Sequence, residues 1–129
     1  MRLSGFSILV PDYDAAIAFY CQGLGFPLIE DFDQTRPDGS RKRWVTIEPA
    51  PGLRVVLARA EGEAQLAALA HPMGGRVWLF AATEDFDADA ARITAVGGIF
   101  EEAPRDEPYG KVAVWRDPFG HRWDLIQPK

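Results

Sequence analysis

Hydrophobic and polar positions at the start of the chain predict a strand followed by an amphipathic helix. Phe6 to Val10 form a continuous apolar run, which is typical of a buried strand. Asp12 follows as a helix N-cap, because its carboxylate can accept hydrogen bonds from the free amides of the first turn. Gly25 supplies a stop at the other end. The apolar side chains of this helix recur at helical spacing and are Ile17, Tyr20, Cys21 and Leu24.

Three more strands are expected before residue 60. Pro37, Asp38 and Gly39 are strong turn formers and indicate a hairpin loop between the first two of these strands. The segment from Pro49 to Gly52 forms the next turn, so the last two strands are neighbours in a β-meander. The predicted strands cover residues 26–32, 43–48 and 53–58.

The same order of elements returns after residue 75. Asp85 begins a second helix as Asp12 begins the first, and Gly98 ends it as Gly25 ends the first. The separation within these two pairs is identical. The remaining predicted elements are strands at 76–81, 99–102, 111–115 and 121–127, with a loop at 103–110. Each half therefore reads as a β-α-β-β-β module, and we interpret the chain as a repeat.

Module boundaries follow from the break in the middle of the chain. Glu61 to Ala70 is rich in Ala and Leu and indicates a short helix or linker, which the Pro/Gly-rich stretch 71–75 ends. A four-stranded sheet with one covered face cannot bury its other face alone, so the two halves are expected to pair. We predict one domain over 1–129, with module one at about 4–60, a linker at 61–75 and module two at about 76–127.

Composition and charge argue against several classes of protein. The chain has 129 residues, 47% of them hydrophobic and 26% charged, as in a globular domain. The formal net charge of −5 argues against nucleic-acid binding, which needs a basic face. No stretch approaches the roughly 18 apolar residues of a membrane span. The N-terminus carries no apolar signal-like region, and the single cysteine, Cys21, is expected to be buried and inert. We therefore expect a cytoplasmic protein with no nucleic-acid or membrane partner.

Three segments of the chain carry a resemblance to a known family. They are V-P-D-Y-D-A-A-I-A-F-Y at 10–20, L-G-F at 24–26 and D-P-F-G-H-R-W-D-L at 117–125. In this order they resemble the opening and closing motifs of the vicinal-oxygen-chelate superfamily of glyoxalases, bleomycin-resistance proteins and dioxygenases. The resemblance implies an α+β fold in which two β-α-β-β-β modules form a cup-shaped, partly open barrel of mixed β-sheet with the helices outside. It also implies a homodimer.

Members of this superfamily often hold a divalent metal on ligands from the first and last strands of each module. The resemblance puts these positions near Gly5 and Arg76 and at Val56 and Asp124. Only Asp124 can bind a metal, whereas a catalytic site needs about three protein ligands. We therefore predict no metal and no other cofactor. Arg76 is expected to face Asp124 and to form a charge-assisted ion pair with it.

Strand alternation sorts the remaining side chains between the cup and the helices. Those expected to face the helices are Val45, Ile47, Ala113, Trp115, Trp123 and Leu125. Those expected to line the cup and contact a small-molecule ligand are Trp44, Thr46, Glu48, Arg76, Trp78, Arg122 and Asp124. Tyr109 is expected to reach the same edge from its loop, with a surface tyrosine as the alternative. In the structural alternative, Trp44 and Trp78 only fill the barrel and the Arg76–Asp124 pair only seals it. Glu101 and Glu102 are interpreted as a solvated strand edge.

These features favour one function and leave others open. Aromatic walls with a few placed polar groups are typical of a small-molecule site, so we expect a metal-independent binding protein that resembles the bleomycin-resistance branch. The alternative is a lyase, isomerase or dioxygenase of the same superfamily, either metal-dependent or using Asp124 or Glu48 for acid–base chemistry. A third possibility is an accessory homodimer without a ligand.

Overall fold

The computed structural model describes all 129 residues, and the chain divides into two compact units, Met1–Gly62 and Glu63–Lys129. The first unit contains β1 (Gly5–Val10), α1 (Tyr13–Ile17, continued as a π-helix over Ala18–Gly23), β2 (Leu28–Thr35), β3 (Arg41–Ala50) and β4 (Leu53–Arg59). After α2 (Gly62–Ala70) and a 3₁₀ turn (Pro72–Gly75), the second contains β5 (Val77–Ala82), α3 (Phe86–Ala95), β6 (Ile99–Phe100), β7 (Arg105–Glu107), β8 (Gly110–Arg116) and β9 (Arg122–Pro128).

Both units carry a mixed sheet with the same topology. The first sheet has the order β1-β4-β3-β2, in which β1 is parallel to β4 and the other pairs are antiparallel. The second has the order β5-β9-β8-β6, in which β5 is parallel to β9, and β7 also pairs with β8. The predicted α+β class with two β-α-β-β-β modules is therefore confirmed.

Identical cap chemistry begins the helix of each unit. Asp12 accepts a hydrogen bond from the Ala15 amide at 2.8 Å, and Asp85 accepts one from the Ala88 amide at 3.1 Å. Each carboxylate satisfies an amide that has no partner within the helix, as the sequence predicted. None of the three helices is long and apolar enough to cross a membrane.

The first helix presents a different face from the one predicted. Its second half is a π-helix, in which Leu24 N–H bonds to Phe19 O at 2.9 Å. Because a π turn holds one residue more than an α turn, it shifts the apolar face. Phe19 and Tyr20 are buried, whereas Cys21 is only partly buried, so the prediction of a buried thiol is wrong. Burial nevertheless raises the pKa of the Cys21 thiol.

The core of each unit lies between its helix and one face of its sheet. In the first unit this core holds Val45, Ile47, Val55, Leu57, Tyr13, Ala16, Phe19 and Tyr20. In the second it holds Trp115, Trp123, Leu125, Ala113, Phe86 and Ile93. The predicted alternation of helix-facing residues on β3, β8 and β9 is thus confirmed. Each large apolar side chain buried in this way stabilises the fold by about 1.5–3 kcal/mol.

The end of α3 approaches the sheet closely at Gly98. Trp115 and Trp123 stack there with ring centroids 5.0 Å apart. A Cβ on Gly98 would collide with the Ile93 side chain and lie 3.1 Å from the Trp115 ring. Gly98 therefore stops the helix and also lets it pack against the tryptophans.

A buried carboxylate organises the closing turn between β8 and β9. Asp117 Oδ1 accepts hydrogen bonds from the amides of Phe119 at 2.9 Å and His121 at 3.0 Å. Asp117 Oδ2 accepts one from Trp123 Nε1 at 3.1 Å, and His121 Nδ1 lies 3.2 Å from it. The D-P-F-G-H segment is therefore an architectural motif, which explains its place in the family pattern.

The edge strand of the second sheet differs from the prediction of a strand at 99–102 and a loop at 103–110. Only Ile99 and Phe100 form β6, and three residues of the predicted loop form β7, which pairs with the same neighbour, β8. Between them the Glu102 carboxylate accepts the Val114 amide at 3.1 Å. That side chain replaces a backbone acceptor, so β8 keeps its hydrogen bonding across the interruption.

Candidate ligand-binding faces

The face of the first sheet opposite α1 carries several of the predicted ligand contacts. Strand pairing sets Thr46 opposite Glu30 and Val56, and Trp44 opposite Phe32. We call this surface the first helix-free face. The face is defined by Glu30, Phe32, Trp44, Thr46, Arg54 and Val56. The predicted orientation of Trp44 and Thr46 away from the helix agrees with this pairing and with their shared bond to Glu30, although Thr46 is itself fully buried.

One carboxylate joins the polar groups of the first helix-free face. Glu30 Oε2 accepts hydrogen bonds from Trp44 Nε1 at 2.8 Å and Thr46 Oγ1 at 2.9 Å, and Arg54 Nη1 lies 3.3 Å from it. The bonds from Trp44 and Thr46 lower the pKa of Glu30, and the Arg54 charge lowers it further. The Trp44 indole is therefore held by its N–H, which leaves the carbon atoms of the ring for a ligand.

Sequence reasoning missed Glu30 and Arg54. Glu30 could have been found from the strand period, because it lies two residues before Phe32 and therefore on the same face. That face also carries Trp44, which pairs with Phe32. Arg54 has a second feature of interest, because its Nε is buried and has no hydrogen-bond partner. Glu48 lies outside this network, next to a β-bulge between Ile47 and Ala50.

The second helix-free face lies on the second sheet opposite α3. Asp124 pairs with Val114 of β8 on one side and Phe80 of β5 on the other, and Arg122 pairs with Arg116. The face is defined by Phe80, Val114, Arg116, Arg122, Asp124 and Ile126. Trp115 and Trp123 alternate with them and pack on the helix side.

Two arginines on this face are engaged by one glutamate. Arg122 forms a bidentate pair with Glu101, with Nη2–Oε2 at 2.6 Å and Nε–Oε1 at 3.2 Å, and donates to Gly75 O at 2.7 Å. Arg116 Nη2 contacts Glu101 Oε1 at 2.7 Å. These bonds lower the pKa of Glu101. Glu101 is exposed, as predicted for a solvated edge, and Glu102 is half-buried, but the prediction did not include the arginines that bind both carboxylates.

Asp124 is a carboxylate of this face with an unsatisfied oxygen atom. Its Oδ1 is buried and accepts no hydrogen bond. Burial raises the pKa of Asp124, and Glu102 adds to that effect, while the charges of Arg105 and Arg122 oppose it. The carboxylate is therefore held in a poorly solvated place without a dedicated counter-ion.

The predicted ion pair between Arg76 and Asp124 is absent. Arg76 lies before the start of β5, is exposed, and forms no salt bridge. A register shift between Val77 and Leu79 interrupts the alternation on which the prediction depended. Arg122 is the basic residue nearest along the strand, and it turns to Glu101 instead.

The other two predicted contacts lie at the margins of the second unit. Trp78 is half-buried within the register shift of β5. Tyr109 is 56% exposed in the turn between β7 and β8, where its carbonyl accepts a hydrogen bond from Lys129 N at 3.2 Å. Neither joins the network of Glu101 and its arginines.

The residues at the expected metal positions do not fit a metal ion. No group of three or more His, Cys, Asp or Glu side chains comes together in a way that would hold one. At Gly5 the backbone itself forbids a ligand, because any Cβ there would collide with the Arg54 carbonyl oxygen of the paired strand. Val56 and Arg76 offer no metal-binding atom, so Asp124 stands alone.

The fold and the closing motif together define the class of the protein. A model of the Glyoxalase/Bleomycin resistance protein/Dioxygenase superfamily matches residues 2–125. The chain belongs to this superfamily, which is the one that its opening and closing motifs resemble.

Individual relatives share most of the chain. A protein from Shewanella frigidimarina is 42% identical over 123 residues, which cover 94% of this chain and 89% of that protein. The crystal structure of UcmS2 is 29% identical, with 98% of this chain and 97% of that chain covered and a TM-score of 0.78. The structure of TnmS3, an antibiotic-binding protein from Streptomyces sp. CB03234, is 29% identical, with 100% and 97% covered and a TM-score of 0.71.

Proposed function

We propose that this protein binds a small organic molecule without the help of a metal. The observation that carries the proposal is the pairing of fixed aromatic and polar groups on the helix-free faces with a donor set that does not fit a metal. The antibiotic-binding role of TnmS3, a structural relative over the whole chain, supports the same class of function.

The geometry of the first helix-free face supports binding in a second way. The Trp44 indole is oriented by Glu30 before any ligand arrives. A ligand that meets pre-ordered side chains loses less free energy to their immobilisation, so affinity rises without new contacts. A flat aromatic wall held in this way suits a planar ligand.

The proposed contacts come from both units. They are Trp44, Thr46 and Glu48 of the first unit, and Arg76, Trp78, Tyr109, Arg122 and Asp124 of the second. To these we add Glu30 and Arg54 as proposed positioning residues, because Glu30 binds Trp44, Thr46 and Arg54, and Phe80 as a proposed further contact.

Ligand binding is tested by tryptophan fluorescence against a panel of planar compounds of different charge. We expect at least one compound to change the emission and to raise the melting temperature, as mass action requires of a ligand that binds the folded state. Trp44→Ala should remove most of that response. Trp115→Phe is the matched control, since its indole packs on the helix side and should not report the ligand. A panel without any binder would refute the proposal.

Metal independence is tested on the same binding signal. Affinity for the best compound should be equal after treatment with a chelator and after addition of zinc, manganese, nickel or iron(II). Binding that disappears on chelation and returns with one metal would contradict a metal-independent site. Elemental analysis of the purified protein, repeated on Asp124→Ala, shows whether any bound metal depends on this carboxylate.

Dimerisation and location are part of the proposal on the strength of the resemblance and the sequence. We propose a homodimer in the cytoplasm. Light scattering over a range of concentrations should give twice the chain mass of 14.3 kDa, and cell fractionation checks the location. A monomer that binds ligand with full affinity would show that the site needs no second chain.

The raised pKa of Asp124 supports a second candidate, acid–base catalysis. A poorly solvated carboxylate is a stronger base than an exposed one. If this candidate holds, the protein should open the ring of the general base probe 5-nitrobenzisoxazole faster than Asp124→Asn does, and the rate should rise as Asp124 ionises. Equal rates for the two proteins would eliminate it.

A further inference from the structure

The Oδ1 atom of Asp124 is an unsatisfied hydrogen-bond acceptor on the second helix-free face. A buried carboxylate oxygen without a hydrogen bond costs about 1–3 kcal/mol, and such atoms are rare in folded proteins. Asp124 Oδ1 is one of these atoms. It lies within β9, an inner strand of the sheet, where the backbone amides of the neighbouring strands are engaged in the ladder.

The cations near Asp124 are already occupied. Arg122, on the same strand, is bound by Glu101 and by the Gly75 carbonyl. Arg105 is bound by Glu102 at 2.7 Å and Glu107 at 2.8 Å. Glu102, Arg105 and Arg122 are the charged groups that act on Asp124, and the negative one among them repels a second carboxylate. Neither of the arginines that act on Asp124 is therefore free to serve as its counter-ion.

The neighbours across the strands are apolar. Val114 stands opposite Asp124 on β8, and Phe80 stands opposite it on β5. Phe80 is 68% exposed on the edge strand β5. An exposed aromatic ring beside a partner-seeking carboxylate offers the two elements that recognise an organic cation: a surface for its planar part and an acceptor for its N–H groups.

We infer that Asp124 is the anionic anchor for a planar aromatic ligand that carries a cationic nitrogen group with N–H donors, such as an amidine or a protonated amine. This inference rests on the proposed function and narrows it to one ligand class. The cationic group would bond to Oδ1, and the aromatic part would lie against Phe80. An anionic ligand is disfavoured at this place, because both arginines near it are already paired.

A matched trio of probes tests the ligand class. The compounds are 2-naphthamidine, 2-naphthamide and 2-naphthoate, which share a two-ring framework and differ in charge. Calorimetry on the full chain should give at least tenfold tighter binding of the amidine than of the amide, and weaker binding still of the naphthoate. In Asp124→Asn, a nearly isosteric change, the amidine and the amide should bind equally.

Controls separate this anchor from a general effect of negative charge. Asp106→Asn removes the same charge from an exposed position of the same unit, 85% exposed at its side chain, and should keep the tenfold preference.

Each outcome decides between the inference and the proposed function. Equal binding of amidine and amide by the wild type, tightest binding of the naphthoate, or a preference that survives Asp124→Asn would overturn the inference and leave small-molecule binding intact. If none of the three naphthyl compounds binds but another compound of the broader panel does, the inference is likewise overturned and small-molecule binding stands. Failure of every compound overturns both.

Discussion

Arg54 of β4 and Arg122 of β9 occupy equivalent places in the two sheets, and each is paired with a glutamate at the edge of its own sheet. Arg54 stands opposite Gly5 of β1, and Arg122 stands opposite Val77 of β5. Arg54 lies 3.3 Å from Glu30, and Arg122 lies 2.6 Å from Glu101. Each ion pair therefore reaches from the last strand of a module across the middle strand to its edge.

The modules differ at the next place on the same faces. Val56 follows Arg54 by two residues, and Asp124 follows Arg122 by two residues, so both point away from the helix. Because the arginine–glutamate pair occurs in both modules, it belongs to the architecture that they share. At the next position the first module has Val56 and the second has Asp124. The carboxylate of Asp124 is therefore a chemical difference between the two sheets.

Glu30→Gln should abolish the change in Trp44 fluorescence that accompanies acidification. Hydrogen bonds hold the pKa of Glu30 below its ordinary value of 4.5, so its contribution to stability is complete above that value and is lost as the pH falls through the lower pKa of the folded state. Tryptophan emission of the wild type should change in that acidic range, before global unfolding. The change should be missing in Glu30→Gln.

The control for this titration lies on the same strand. Asp33 is exposed and contacts Arg41 at 4.0 Å rather than a tryptophan. Asp33→Asn should therefore leave the emission change in place. An identical acid response in the wild type and in Glu30→Gln would show that Glu30 does not hold the indole in solution.

Asp124→Asn should stabilise the protein at neutral pH. The pKa of Asp124 is raised in the folded state, so the folded protein binds more protons than the unfolded one and stability falls as the pH rises through that pKa. Removal of the charge should raise the free energy of unfolding at pH 7 by about 1 kcal/mol. Chemical denaturation should show the gap closing as the pH falls toward about 4. A variant less stable than the wild type at pH 7 would mean that Asp124 has a partner.

Gly5→Ala should destabilise the first unit strongly, although it adds only one methyl group. Its Cβ would meet the Arg54 carbonyl oxygen, so β1 and β4 must separate or shift. Overpacking of this kind costs about 1–3 kcal/mol. Ser4→Ala, one residue earlier and exposed, should change the unfolding free energy by less than about 0.5 kcal/mol. Equal stability of the two variants would remove the steric argument against a metal ligand at this position.

Asp117→Asn should be among the most damaging single changes in the second unit. The side chain is fully buried and accepts from the backbone amides of the turn and from Trp123. An amide offers one acceptor oxygen and places a donor toward the other donors, so we expect a loss of about 3 kcal/mol or more. Thermal unfolding measures it, with the exposed Asp87→Asn as the control, which should be nearly neutral.

Local chemistry explains which parts of the fold were predictable. Asp12 and Asp85 cap their helices through bonds to amides three residues away, so sequence spacing alone identifies them. The sorting of Trp44 and Val45 to opposite faces follows from the two-residue period of a strand. Both features depend on neighbours in sequence, and both were predicted correctly.

The partners of the charged side chains depend on tertiary structure and were not predictable in the same way. Glu30 and Glu101 look like ordinary acidic residues of an edge strand until register brings arginines of the last strand beside them. The expected Arg76–Asp124 pair failed because a register shift in β5 cannot be read from an apolar run. Strand period predicts the face of a residue, whereas its partner requires the register.

Phe80→Ala should weaken binding of aromatic ligands without destabilising the fold. The ring is 68% exposed, so its truncation removes little buried surface and should change the unfolding free energy by less than about 0.5 kcal/mol. If the ring carries the planar part of a ligand, 2-naphthamidine and 2-naphthamide should lose affinity by the same factor, about tenfold for a contact worth about 1.4 kcal/mol. The ratio between the two compounds should stay as in the wild type, because Asp124 alone distinguishes their charge. Ile99→Ala is the matched control, since Ile99 is equally exposed on the edge strand β6. A loss limited to the amidine would assign Phe80 to cation recognition, and no loss for either compound would place the aromatic part elsewhere.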